Sequence, residues 1–206
     1  MKPVICFIDD SEFEHDLVRN EIAPQAPDLE FYQAYTFDEA KEKLGRKVPS
    51  LFFLDLWGKD EDIIVTYMPQ KEKLEMRIFD FKTLDDVYAG LDDFKGDVTN
   101  EYLKRLFSIV DSWRSLFEEV CDEIGQNRKY GISNLRLARQ YYPDTPAVFY
   151  TRKSLISDAV AMFKAGIEGI FIKPTGLNDV ETRRLTGEYA PQLITELKKI
   201  IDNHSQ

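Results

Sequence analysis

"PSLFFLDLWGKDED", residues 49–62, decides the fold. Its first half is a continuous apolar run, as expected of a strand in a parallel sheet covered on both faces, and it ends on Asp55 before the chain turns polar. "VICFI" (4–8) is built the same way and ends on Asp9-Asp10. Between the two, Ser11 precedes the amphipathic stretch "EFEHDLVRNEI", closed by Pro24, which reads as a helix from about 12 to 22. "LEFYQAY" (29–35) is a second strand, and Thr36 is a fitting N-cap for "FDEAKEKL" with Gly45 just beyond it. The order β-α-β-α-β with short links predicts a parallel sheet with helices on both faces.

The same grammar resumes 70-odd residues later. "ISNLRLARQYY" (132–142) has its apolar residues at helical spacing, "PDTP" ends it, and "AVFYT" (147–151) is a fourth strand. "SDAVAMFKAG" (157–166) is a helix, "GIFIK" (169–173) a fifth strand, and "PQLITELKKIID" (191–202) a terminal helix with proline at its first position. Residues 1–58 and 131–206 therefore make one doubly wound α/β unit of five strands. Residues 59–130 are an insertion between strand 3 and the helix that follows it.

Composition narrows the chemistry. A net charge of -10 and 37 acidic against 27 basic residues repel phosphate backbones, so no nucleic-acid partner is expected. The two cysteines, Cys6 in an apolar run and Cys121 in a helical pattern, read as core residues and suit a reducing, cytoplasmic setting. No apolar stretch is long enough for a membrane span, and the amino-terminal residues do not read as a signal peptide.

In doubly wound sheets the functional site lies outside the carboxyl ends of the strands. Here those ends supply Asp9 and Asp10, Asp55, Thr151 and Lys173. Carboxylates at close quarters stay ionised only with a hard divalent cation or a cationic side chain among them, and oxygen-only ligation suits Mg²⁺. A carboxylate nucleophile, a metal, an ammonium and a hydroxyl are the parts of a phosphoryl-transfer site.

Those five positions, with Pro174 after Lys173 and the stretches "PDTPAVFYT" and "GIEGIFIKP", resemble the receiver domain of two-component response regulators over about 130 of the 206 residues. The resemblance implies a flavodoxin-like sheet of strand order 2-1-3-4-5 and a signalling protein, not an enzyme. Asp55 would accept a phosphoryl group from a histidine kinase or phosphotransfer protein. Asp9, Asp10 and Asp55, with the backbone carbonyl of Trp57, would hold Mg²⁺. Thr151 and Lys173 would bind the phosphoryl oxygens, and a cis bond before Pro174 would aim the lysine.

Several positions depart from that pattern. Ser11 replaces an acid, and Ile170 stands where an aromatic residue often couples the site to an output surface. Trp57 and Lys153 occupy places that tune loss of the phosphoryl group, and "TGLNDVETRRLTGEYA" (175–190) is a long link before the last helix. His15 is expected on a solvated or rim face of the first helix.

The insertion reads as a hairpin ("DIIVTYM" and "LEMRIFDF"), a helix over 83–94 capped by Thr83, and a long helix from about Val98 to Asn127. In the last, Leu103, Leu106, Val110, Trp113, Phe117, Val120 and Ile124 alternate by three and four, the heptad rule of a helix seam. With no output domain after strand 5, the expected output is contact with a downstream protein or a homodimer through the insertion. Two alternatives stand beside the phosphoacceptor reading: a receiver-shaped module that takes no phosphate, and a haloacid-dehalogenase-like phosphohydrolase. The latter family wants a second acid two residues after its nucleophile, where this chain has Trp57.

Overall fold

The computed structural model describes residues 2–59, 68–152 and 156–204. The chain divides into two compact units, Met1–Asp60 with Asn127–Gln206, and Glu61–Gln126.

In the first unit, strand β1 (Val4–Ile8) is followed by α1 (Glu12–Leu17), which runs on as a π turn over Val18–Ile22 and a 3-10 turn over Ala23–Gln25. Ser11 caps α1 by accepting from the Glu14 amide, and Pro24 stops the chain from continuing helical. Strand β2 (Glu30–Ala34), helix α2 (Phe37–Leu44, capped by Thr36) and strand β3 (Leu51–Leu54) come next. Gly45 ends α2 at φ +59°, a conformation that suits glycine alone among the common residues. A two-residue strand β4 (Gly58–Lys59) then precedes the second unit.

The second unit is helical among its described residues: α3 (Lys71–Ile78), α4 (Leu84–Tyr88) and α5 (Val98–Glu123). The expected hairpin is therefore corrected. Its second arm lies largely in α3, because Lys, Glu, Leu, Met and Arg are strong helix formers and no β-branched run opposes them; most of its first arm falls outside the described residues. Helix α4 has the anticipated Thr83 cap, with Asp86 completing a reciprocal capping box, but stops before Gly90 at φ +65°. Helix α5 is capped by Asp97 and ends where Gly125 takes φ +72°.

The chain returns through β5 (Gln126–Asn127), which pairs with β4, and continues with α6 (Lys129–Tyr141), β6 (Ala147–Thr151), α7 (Ile156–Lys164), β7 (Gly169–Ile172) and α8 (Asp179–His204). The terminal helix begins twelve residues before the expected start and carries Pro191 inside it. A proline there removes the hydrogen bond to the Gly187 carbonyl four residues back. Gln25 Nε2 donates to that carbonyl instead, at 2.9 Å, and the helix passes through.

All five long strands are parallel in the order β2-β1-β3-β6-β7, the doubly wound arrangement expected from the sequence. Alternate residues feed two cores. Ile5, Phe7, Leu51, Phe53, Val148 and Tyr150 pack toward α8 and the turns after α1. On the opposite face Phe52 meets Phe37 of α2 and Tyr142 after α6. Val148 and Phe149 of β6, like every residue of β1 and β3, are buried, so the middle of the sheet is rigid where its strand ends meet.

Candidate functional site

The sheet's hydrogen-bond ladder runs up to the site residues themselves. The Asp9 amide donates to the Ala34 carbonyl (3.1 Å), that of Asp55 to Ile8 (2.9 Å) and that of Lys173 to Thr151 (3.0 Å). Each functional side chain is thus launched from a fixed main chain at the carboxyl end of its strand.

Asp9, Asp10 and Asp55 each place one carboxylate oxygen within 4.8 Å of the others. Lys173 reaches into the group: its Nζ donates to Asp9 Oδ2 at 2.5 Å and lies 3.3 Å from Asp55 Oδ2. Thr151 bonds the Asp55 carboxylate through its hydroxyl. Asp55 Oδ1 accepts from the Leu56 amide (2.8 Å), Asp9 Oδ1 from Ser11 (2.9 Å), and Asp10 Oδ2 from Lys59 (2.8 Å). The last bond ties Asp10 to the turn 55–59, which brings Trp57 into the neighbourhood. Its ring is buried, with the Arg128 guanidinium 4.5 Å from the ring centre. The structure thus gathers Asp9, Asp10, Asp55, Thr151 and Lys173, while of Trp57 only the backbone is a candidate donor.

Burial sets the electrostatics. Removal from water pushes the Asp55 carboxyl up to about 6, against the pull of Lys173 and with the push of Asp9. Asp9 is likewise raised, first by burial and despite Lys173. Burial alone would weaken the Lys173 ammonium, but Asp9, Asp55 and Glu14 around it hold its proton more tightly than usual. The donor set is oxygen-only and over-acidic for one cation side chain, a fit for a hard divalent ion.

Two expectations are corrected. All peptide bonds among the described residues are trans, including the one before Pro174; Lys173 reaches the acids from a trans bond, the form X-Pro prefers by about 0.5–1 kcal/mol. His15 is buried, not solvated: Nε2 donates to the Asp9 carbonyl at 2.9 Å, Nδ1 lies 2.9 Å from Gln33 Oε1, and the ring lies edge-on to Phe7 and Tyr35. With the Gln33 amide turned so that its NH2 donates to Nδ1, both nitrogens of the neutral ring are matched, and His15 buttresses Asp9 from behind. Ile170 and Phe171 are both half-buried, with Phe171 packed on the α8 side of the sheet. Lys153 lies outside the described residues.

Three contributors escaped the sequence reading. Glu14 is buried, with Oε2 3.7 Å from Lys173 and Oε1 2.5 Å from Arg152 Nη2, so a fourth carboxylate and a second cation border the acids. The spacing Ser11-x-x-Glu14 suggests a capping box, in which Glu14 would turn back on its own helix; the side chain goes to the site instead. Tyr130 covers Gly58 so closely that a Cβ there would fall 2.5 Å from the ring, and its hydroxyl donates to the Tyr35 carbonyl at 2.6 Å. Burial, then Asp9, Asp10 and Asp55, hold that phenol in its neutral form.

Comparison with solved structures finds this fold in receiver domains of response regulators. The signal receiver domain of a Luxo repressor protein from Vibrio parahaemolyticus matches with a TM-score of 0.52 at 14% identity, over all of this chain and 94% of that one. The response regulator domain of Thermotoga maritima CheB gives 0.50 at 16%, over 98% of both chains. NtrX from Brucella abortus gives 0.52 at 16%, over all of this chain and 28% of that much longer one. No protein-family model matches the sequence, and no curated protein does. At these identities what is shared is the receiver fold, here with an acidic group at the carboxyl edge of its sheet.

Proposed function

We propose that the chain is a receiver that takes a phosphoryl group on Asp55, supplied by a histidine kinase or phosphotransfer protein, and uses it to control a protein contact. The observation that carries this reading is the placement of Lys173. Its ammonium is buried between Asp9 and Asp55, carboxylates from two different strand ends, with a third acid adjacent. Buried charge clusters are poor stabilisers, since desolvation consumes what pairing returns, so their retention at a strand edge argues for chemistry.

Asp55 Oδ1 is engaged by the Leu56 amide, which leaves Oδ2, 3.3 Å from Lys173, to form the new bond to phosphorus. As that bond forms, the bond from phosphorus to the donor's leaving atom breaks, and the leaving group keeps the electron pair. Lys173 and the Thr151 hydroxyl stand where the transferred oxygens gain charge, and His15 holds the Asp9 main chain in place. Asp9, Asp10 and Asp55, with the Trp57 carbonyl, would hold Mg²⁺, which when bound neutralises charge on donor and acceptor oxygens. The hydrolase reading is disfavoured because the position two after Asp55 is Trp57, stacked under Arg128, and supplies no second acid. The acidic composition, and the absence among the described residues of a helix long and apolar enough to cross a membrane, agree with a cytoplasmic signalling role without nucleic-acid contact.

The test is incubation with Mg²⁺ and acetyl phosphate followed by intact mass. A base-labile gain of about 80 Da, absent in Asp55→Asn, is expected. Multiple turnover of phosphate esters would instead make the protein a hydrolase, and no adduct from any donor would make it a module that takes no phosphate.

A further inference from the structure

The first residues past β1, β3, β6 and β7 are all charged: Asp9, Asp55, Arg152 and Lys173. Phe7, Phe53, Tyr150 and Phe171, two residues earlier in each strand, pack on the α8 side of the sheet, so by two-residue alternation the four charged side chains leave on that same side. Strand β6 lies beside β3, one strand nearer to Asp55 than the β7 that carries Lys173, and neighbouring strands are about 5 Å apart. Asp9, Asp55 and Lys173 meet in the acidic group, whereas Arg152 stops on Glu14.

That contact leaves the guanidinium poorly used. Its Nη2 lies 2.5 Å from Glu14 Oε1, but neither Nη2 nor Nε, both closed off from water, has an acceptor in hydrogen-bonding geometry among the described residues. The Phe13 ring lies 5.7 Å from the guanidinium carbon, a cation–π contact that asks nothing of the N–H groups. Nε and Nη2 form the side-on edge of the guanidinium, which grips two oxygens of a carboxylate or phosphate at once. Buried donors left unmatched cost stability, so such an edge facing a charged site needs a reason. Glu14 Oε2 is 3.7 Å from Lys173 Nζ, which in turn is 3.3 Å from Asp55 Oδ2. One carboxylate thus occupies two cations at the border of Asp55.

We propose that Arg152 is a second cation for the phosphoryl group on Asp55, and that Glu14 occupies it until the group arrives. The inference rests on the phosphoryl reading of Asp55. With acetyl phosphate as donor, phosphorus bonds to Asp55 Oδ2 as its bond to the acetate oxygen breaks, and acetate keeps the electron pair. A phosphoryl group carries a charge of about -1.5 to -2 and three acceptor oxygens, against the single charge of Glu14. It therefore takes the side-on edge of Arg152, and Glu14 keeps Lys173 as its counter-ion.

The test compares Glu14→Gln with Glu14→Gln plus Arg152→Gln, a comparison that never leaves Glu14 as an unpaired buried charge. If Arg152 acts only by holding Glu14, its removal from a chain that lacks Glu14 changes nothing. Labelling by acetyl phosphate with Mg²⁺, read as intact mass against time, should be about tenfold or more slower in the double variant. Arg152→Lys in the same Glu14→Gln chain should recover part of that loss, since a point charge replaces the fork. Mg²⁺ affinity, read by isothermal titration calorimetry, should weaken by no more than about threefold, whereas a distorted site would lose it together with labelling. Equal labelling rates in the two chains, a labelling loss matched by a loss of Mg²⁺ affinity, or an Arg152→Lys chain no faster than Arg152→Gln would each overturn the proposal while the phosphoryl reading stands. A parent chain that takes no label would overturn that reading and the proposal with it.

Discussion

Asp55 is a carboxylate that the fold keeps reluctant to ionise. Its value of about 6 lies above the ordinary 3.8, so between those limits the native state holds a proton that the unfolded chain has lost. Stability without divalent ions must then fall as pH rises from about 4 to about 6, by on the order of 3 kcal/mol, and stay lower above that window. Asp55→Asn removes this penalty while keeping an acceptor for the Leu56 amide; in EDTA at pH 7.5 its melting temperature should rise by about 5 °C or more, and added Mg²⁺ should no longer raise it. A variant no more stable than the parent would mean the carboxylate is better compensated than its burial indicates. Glu14 makes the opposite kind of residue-scale case. With its negative charge 3.7 Å from Lys173 it competes for the ammonium, so Glu14→Gln should speed labelling by acetyl phosphate a few-fold, read as adduct formed against time. Asp9, Asp10, Asp55, Thr151 and Lys173 could be found in the sequence because a strand's end is visible as the place where an apolar run stops. Glu14 and Arg152 could not, because where a helix residue aims its side chain is decided by the strand ends across from it.

Among the elements, the parallel strands were the most legible, since a strand buried on both faces writes itself as an unbroken apolar word. Helices α3 and α8 were less so. The run after Met68 mixes residues of both periods, and Pro191 reads as a helix start until Gln25, far away in sequence, is seen bonding the carbonyl the proline abandons. Helix α6 carries the element-scale prediction. Gly131 lies in its first turn, and a Cβ there would fall 2.5 Å from the Asp55 carbonyl oxygen and 2.6 Å from the Leu56 Cα, both main-chain atoms that cannot step aside. Gly131→Ala should therefore cost about 2 kcal/mol or more in chemical denaturation and slow labelling of Asp55, because relief requires moving the strand end that presents it. Unaltered stability would mean that α6 shifts as a body without disturbing the site.

For the whole molecule, the two chain crossings at the insertion are what matter. The outgoing crossing passes Lys59, whose amide holds Asp10; the returning one passes Arg128 on Trp57 and Tyr130 on Gly58. Replacing 60–126 with a short glycine-serine turn should leave Asp55 open to labelling by acetyl phosphate, read as intact mass. A truncated chain that takes no label would mean that the insertion helps to shape the site. Strands β4 and β5 are paired, and paired strands lie about 5 Å apart. The host sheet therefore perceives its 60-odd-residue passenger as nothing more than a hairpin tip. Any domain whose own termini approach that closely could be seated in the same socket, and a circularly permuted fluorescent protein placed there would turn the chemistry at Asp55 into light.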